Sequence, residues 1–184
     1  EFLKGRDGAL SCIDADPVNA SFVAVGSFGA EHVRLVSGGK INVGAMNAFA
    51  ERLCSEDSSF VVDTGASSFL PLMSYLIDAE IFDFLADGGK RVIVHMPITG
   101  GRTLAHTVGA VEEAARTLPT RVEIVPWFNP YFGPIVAPDG ADLESTVVYS
   151  DMSDRLSGPV RLPDLNPEYA GASFASLLDA NRTF

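Results

Sequence analysis

The chain has 184 residues, with 13 Lys and Arg against 24 Asp and Glu, a formal net charge of −11. Its length suits one domain with a real core, and a 47% hydrophobic share excludes a disordered chain. The acid balance argues against broad phosphate binding, which starts from Lys and Arg neutralising phosphates, and against a basic membrane-surface helix.

No apolar stretch approaches the length that spans a bilayer. Cys12 and Cys54 make neither a disulfide framework nor a zinc site, so a reduced, cytoplasmic location is the expectation. The chain opens Glu1-Phe2-Leu3-Lys4-Gly5, without Met or a signal-peptide pattern. It is expected to begin inside a larger unit.

Short apolar runs alternate with longer amphipathic stretches. Ala9 to Ile13 ends in Asp14, and Phe60 to Val62 ends in Asp63. Arg91 to Met96 ends at Pro97, Val122 to Phe128 at Asn129, and Pro159 to Leu162 at Pro163. The middle three are continuous, which predicts parallel strands covered on both faces. Helix patterns fall over Ala45 to Cys54, Leu70 to Leu85, Arg102 to Leu118 and Ala172 to Ala180. Pro71 is tolerable only in the first turn of its helix. In the third helix Leu104, Val108, Val111, Ala115 and Leu118 share one face. Val25 to Gly44 reads as glycine-rich and irregular, and Ala137 to Asp142 as a loop. Strand–helix alternation predicts an α/β fold, a mostly parallel sheet with helices on both faces, in one domain over 1–184.

Parallel sheets place function at the carboxyl ends of their strands. Those ends carry Asp14-Ala15-Asp16-Pro17, Asp63-Thr64-Gly65, Pro97-Ile98-Thr99-Gly100-Gly101 and Asn129-Pro130. An Asp after a strand commonly caps the next helix or makes an Asx turn. Three such carboxylates together favour holding Mg²⁺ through water or orienting an attacking water.

Val61-Val62-Asp63-Thr64-Gly65-Ala66-Ser67 also matches the active-site string of retroviral-type aspartic proteases. Those enzymes are almost all β, whereas Ser67 leads into a stretch of helical length. No phosphate loop is present: Gly39-Lys40, Gly89-Lys90 and Gly101-Arg102-Thr103 lack the Gly-x4-Gly-Lys-Ser/Thr spacing and read as turns. The loop Trp127 to Pro134 is rich in aromatics that can stack a base, with an Asn to bond its edge, but a rim contact or a protein-contact patch is the favoured reading. His32, His95 and His106 are dispersed, and His95 reads as a core residue of a buried strand.

Together these strings resemble the ParA/MinD-type P-loop ATPases with a deviant Walker A motif, most closely the TraL-like proteins of plasmid conjugal transfer. The resemblance rests on Cys12 to Phe22, Val62 to Phe69, Thr99-Gly100-Gly101 and Asn129 to Ile135, in family order. It implies a P-loop-NTPase-like fold and a nucleotide-dependent switch ATPase binding ATP and Mg²⁺. Asp14 would lie near the Mg²⁺ and Asp16 would orient the hydrolytic water. Asp63 would be the Walker B carboxylate, at the Mg²⁺ through water, with Thr64 and Gly65 opening the second switch. Asn129 would read adenine and Pro130 would border it.

The family's face-to-face homodimer and protein partners in the conjugation machinery are implied as well. At −11, strong nucleic-acid or membrane binding is not expected. The family's first strand and its Lys-bearing glycine loop are expected before Glu1, which would leave two unpaired strand edges here. Without that loop this chain is expected not to hydrolyse ATP. A non-catalytic scaffold of the transfer machinery is the alternative, and the aspartic protease a lesser one.

Overall fold

The structure is a computed structural model that describes residues 9–164 and Ser176. The helix expected over Ala172 to Ala180 lies outside the described residues, apart from Ser176, which is helical. The fold is mixed α/β with parallel sheets, in two compact units that divide between Gly88 and Gly89.

The first unit is built on β1 (Leu10–Asp14) and β5 (Ser59–Asp63), parallel and in register from Leu10 opposite Ser59 to Asp14 opposite Asp63. A short β2 (Glu31–His32) pairs parallel on the other side of β1. Between β1 and β2 lies the single-turn α1 (Ser21–Ala24). The stretch expected to be irregular also holds a hairpin of β3 (Val36–Ser37) and β4 (Lys40–Ile41). Its two-residue turn is Gly38-Gly39, with φ of +57° and +74°, the left-handed conformation that such turns need. These strands are two residues long, too short for an apolar period to announce them.

Helix α2 (Val43–Ser55) starts where the Asn42 side chain accepts the Ala45 N–H at 3.2 Å. It buries Met46, Phe49, Ala50 and Leu53. The expected helix from Leu70 to Leu85 is two helices, α3 (Ala66–Asp78) and α4 (Ile81–Asp87). The break is at Glu80, whose φ of +54° no helix continues through. Pro71 sits past the first turn, inside α3, so the Ser67 carbonyl loses its i+4 donor.

The second unit is built on β6 (Val92–Thr99) and β7 (Val122–Asn129), parallel over their whole length, with β8 (Val160–Arg161) beside β7. Helix α5 (Leu104–Thr117) packs on this sheet and buries Val108, Val111, Ala114 and Ala115. Helix α6 (Val147–Ser153) adds Tyr149, whose ring meets Phe128 edge-on at 6.0 Å. The Arg155 guanidinium donates to the carbonyls of Ala115, Leu118 and Pro119, which closes the C-terminal end of α5.

Two expectations about β6 are corrected. The strand does not end at Pro97 but runs on to Thr99. The Gly100 N–H donates to the Asn129 carbonyl, so even-numbered residues of β6 face β7 and Pro97 faces the free edge, where no N–H is needed. The Thr99 N–H on that same edge is taken by the Thr107 hydroxyl at 3.2 Å. The strand is also not buried on both faces. Met96 and Ile98 are buried, while Ile93, His95 and Pro97 are exposed.

His95 is therefore not a core residue. Its Nδ1 accepts the Trp127 Nε1–H at 2.8 Å across the exposed face. In β7 the alternation is strict, with Val122, Ile124, Pro126 and Phe128 buried. Pro126 points toward the gap between the Leu156 bridge and β8, so its missing N–H disrupts no ladder.

One-sided burial predicts a contrast within one sheet. Ile124→Ala should cost about 2–5 kcal/mol in urea denaturation, as for a fully buried aliphatic. Ile93→Ala, at a position 40% exposed, should cost less than about 1 kcal/mol.

Candidate functional site

Asp14 and Asp63 end adjacent parallel strands and sit opposite each other in register. Asp14 is fully buried. Its Oδ1 accepts the Asp16 N–H at 3.1 Å, and its Oδ2 accepts the N–H groups of Phe22 and Val23 at 3.0 and 3.1 Å. A buried carboxylate survives only with such partners. It thus pins both the 15–20 loop and the first turn of α1 to the end of β1.

Asp16 is held at four points. Its N–H goes to Asp14, and its carbonyl accepts from His32 Nε2 at 3.2 Å, which places the proton on that nitrogen. Its Oδ1 accepts the Val18 N–H at 2.8 Å, an Asx turn. Its carboxylate lies against the backbone of Gly65, where a Cβ would come within 2.5 Å of the carboxyl carbon. Ala15 N–H donates to the Asp63 carbonyl at 2.7 Å, so the two strand ends are tied directly. Gly65 is needed here for close approach rather than for an unusual φ, which is −76°.

Asp63 is exposed at the strand end, yet its carboxyl is pushed above the ordinary Asp value. Lost hydration is the first cause, and the Asp14 and Asp16 charges add to it. The Thr64 N–H opposes them by stabilising the charged form. The water that still reaches this exposed group limits the effect. After Gly65 the chain enters α3, so Asp63-Thr64-Gly65 stands in a strand–helix turn and not in the all-β setting of an aspartic protease.

In the second unit Asn129 ends β7. Its Oδ1 accepts the Tyr131 N–H at 3.1 Å and caps a 3-10 turn over Pro130–Phe132. That turn is fixed by a close backbone approach. A Cβ at Gly100 would lie 1.8 Å from the Gly133 carbonyl oxygen, and one at Gly101 would lie 2.4 Å from that of Phe132. Thr99-Gly100-Gly101 thus has a packing reason for its glycines. Beside Pro130 lies a cavity of about 390 Å³, also lined by Phe128, Ile135, Arg161 and Leu162. The Arg161 guanidinium stacks 5.0 Å from the Phe128 ring centre and pairs with Glu144.

Sequence reasoning singled out Asp14, Asp16, Asp63, Thr64 and Gly65, and the first unit brings them to one sheet edge. Asn129 and Pro130 belong to the second unit. His32 was missed as part of this network, because nothing in its glycine-rich surroundings signals the β1–β2 pairing. Among the described residues no group of three or more His, Cys, Asp or Glu is arranged to hold a metal. No helix among them is long and apolar enough to cross a membrane.

The chain is 34% identical over 184 residues to an Escherichia coli protein described as Protein TraL, covering all of this chain and 76% of the relative. A second E. coli Protein TraL is 33% identical over 173 residues, covering 94% of this chain and 71% of that relative. The chain belongs to the TraL family. No protein-family model matches it, and no solved structure does. The TraL relationship spans both units, so the carboxylate cluster and the Asn129 turn lie within the shared sequence.

The raised Asp63 carboxyl sets a pH dependence for this TraL-family chain. A carboxyl raised in the fold disfavours the folded state once pH climbs through its folded value. Asp63→Asn should therefore raise stability at neutral pH, with the gain vanishing as pH falls below the ordinary Asp range. Urea midpoints from pH 3 to 7 would show it, and a loss of stability at neutral pH would contradict it.

Proposed function

We propose that this chain carries the switch residues of a nucleotide-dependent ATPase that serves plasmid conjugal transfer in the cytoplasm. One observation carries the reading: Asp14 and Asp63 in register at neighbouring strand ends, with the Asp16 carboxylate seated on Gly65. Membership of the TraL family supports the setting.

In this reading Asp16 orients the water that attacks the terminal phosphate. A carboxylate held by its own Asx turn and backed by Gly65 has little freedom to swing away. Asp63, exposed at its strand end, would be the residue that holds Mg²⁺, through water. Asp14 already takes three backbone N–H groups and is fully buried, so it acts through its charge and through the loop it anchors. When bound, Mg²⁺ supplies charge neutralisation at the phosphates.

Thr64 and Gly65 open the second switch, with Gly65 against the Asp16 carboxylate. Asn129 has its Oδ1 committed to Tyr131, which leaves its NH₂ to donate to a ring nitrogen of adenine, with Pro130 against the base. Protein components of the transfer machinery are the partners, and a homodimer is the nucleotide-bound form. No Gly-x4-Gly-Lys-Ser/Thr string occurs in the 184 residues, so these residues alone do not turn ATP over.

A non-catalytic interaction role on the same fold is the second reading. It is favoured by where the acid lies. Residues 9–88 hold three Lys and Arg against eleven Asp and Glu, a charge of −8, while residues 89–164 hold seven against nine, or −2. Such segregation suits a protein-facing surface.

The full-length protein should hydrolyse Mg-ATP, and Asp16→Ala should lower the rate by about 100-fold or more with the fold intact by circular dichroism. Absence of hydrolysis by the full-length protein would favour the scaffold. An Asp16→Ala protein at the parent rate would remove Asp16 from the mechanism.

A further inference from the structure

The Asp16–Pro17 peptide unit has one hydrogen-bonding group instead of two. Pro17 has no N–H, so the Asp16 carbonyl is the only backbone handle on this unit. That carbonyl accepts from His32 Nε2 at 3.2 Å. The Asp16 N–H, before the side chain, is held by Asp14 Oδ1 at 3.1 Å. Two side chains from neighbouring strands thus grip Asp16 from both ends.

The carbonyl bond also governs the side chain. A residue before proline is confined to extended backbone, but that region is broad in ψ. The ψ of Asp16 carries Pro17 and Val18 round relative to the Asp16 carboxylate. The Val18 N–H meets Asp16 Oδ1 at 2.8 Å, a contact that only part of that range permits. By holding the carbonyl, His32 holds ψ, closes the Asx turn and so orients the carboxylate.

His32 can act this way because its own place is fixed. It stands on β2 opposite Asp14 of β1, and the Val33 N–H donates to the Asp14 carbonyl at 2.8 Å. Leu35, just beyond, is fully buried. On the other side of His32, Glu31 pairs with Arg52 of α2 at 2.9 Å, and Arg52 also holds Glu56. Helix, strand and imidazole form a strut that ends on the Asp16 carbonyl.

We propose that His32 is a positioning residue for Asp16, setting the angle of its carboxylate through the backbone. The chemical consequence rests on the switch reading, in which Asp16 orients the attacking water; the strut itself does not. A carboxylate in that role must stay within about 0.5 Å of its productive place. A carbonyl oxygen accepts equally from imidazole protonated at Nε2 and from imidazolium, so the donor matters here and not its charge.

Two neutral amides separate reach from polarity. In His32→Gln the side-chain N–H lies about where Nε2 does, and in His32→Asn it falls short. The first readout is ¹⁵N relaxation of the 184-residue chain. The Val18 N–H should have an order parameter of about 0.85 in the parent and in His32→Gln, and below about 0.6 in His32→Asn. His32→Leu should repeat the loss without an amide. The Phe22 and Val23 amides, held by Asp14, should stay rigid throughout. In the full-length protein His32→Asn should lower kcat by about tenfold or more with KM within about twofold, and His32→Gln should restore it.

A Val18 N–H that is mobile in the parent, or rigid in both His32→Asn and His32→Leu, would overturn the proposal. So would a Gln variant no better than the Asn variant. Equal loosening of Phe22 and Val23 would overturn it as well, since His32 would then only hold the sheet together. An active full-length protein that keeps the parent rate with His32→Asn has the same force. A full-length parent without hydrolysis sinks the switch reading alone, and the order parameters still decide whether His32 positions Asp16.

Discussion

The buried carboxylate of Asp14 is the constraint on which the rest of the candidate site depends. A carboxylate with no exposure is tolerable only when it is hydrogen-bonded, and here three backbone N–H groups donate to it. Those donors come from Asp16, Phe22 and Val23, so one side chain fixes both the exit of β1 and the start of α1. Asp16 is then placed where Gly65 lets its carboxylate rest on the next strand's turn. The Ala15 N–H to Asp63 carbonyl bond and the Val33 N–H to Asp14 carbonyl bond lock the neighbouring strands to the same point. Truncating Asp14 would leave three donors unsatisfied inside the fold, a cost of roughly 1–3 kcal/mol for each left without water.

A parallel sheet makes this arrangement economical. Adjacent parallel strands end side by side, so two strand-terminal carboxylates meet without any long-range folding of loops. The consequence falls on Asp63, whose carboxyl is raised first by lost hydration and further by the neighbouring Asp14 and Asp16 charges. Exposure at Asp63 lets water soften that effect, while the Asp14 carboxylate is held by backbone donors. The second unit solves a different problem with the same geometry. There Gly100 and Gly101 admit the backbone of Phe132 and Gly133, and Asn129 caps the turn that results.

Much of this was legible in the sequence because it is local. Strands that end in Asp or Asn are seen as apolar runs with a polar stop. Helix α5 was legible because its buried Val108, Val111 and Ala115 keep a 3.6-residue period. What was not legible depended on contacts distant in sequence. Pro97 looked like a stop, yet β6 is an edge strand in its sheet and Pro97 faces the free side. Ile93 and His95 looked buried because an apolar run cannot say which of its faces is covered. The β3–β4 hairpin was hidden in glycines that serve its turn, and the helix break at Glu80 rests on one left-handed residue. The role of Asp14 as an anchor was among the ordinary readings of an Asp after a strand, and only the three N–H partners single it out.

Amide hydrogen exchange of the 184-residue chain, compared with Asp14→Asn, tests the dependence on this carboxylate most directly. The account predicts that the amides of Asp16, Phe22 and Val23 are protected in the parent and lose protection together in the variant. The Cys12 and Ile13 amides, held by the β1 ladders, should change far less. Fast exchange at those three amides in the parent, or a variant in which they stay protected, would contradict it.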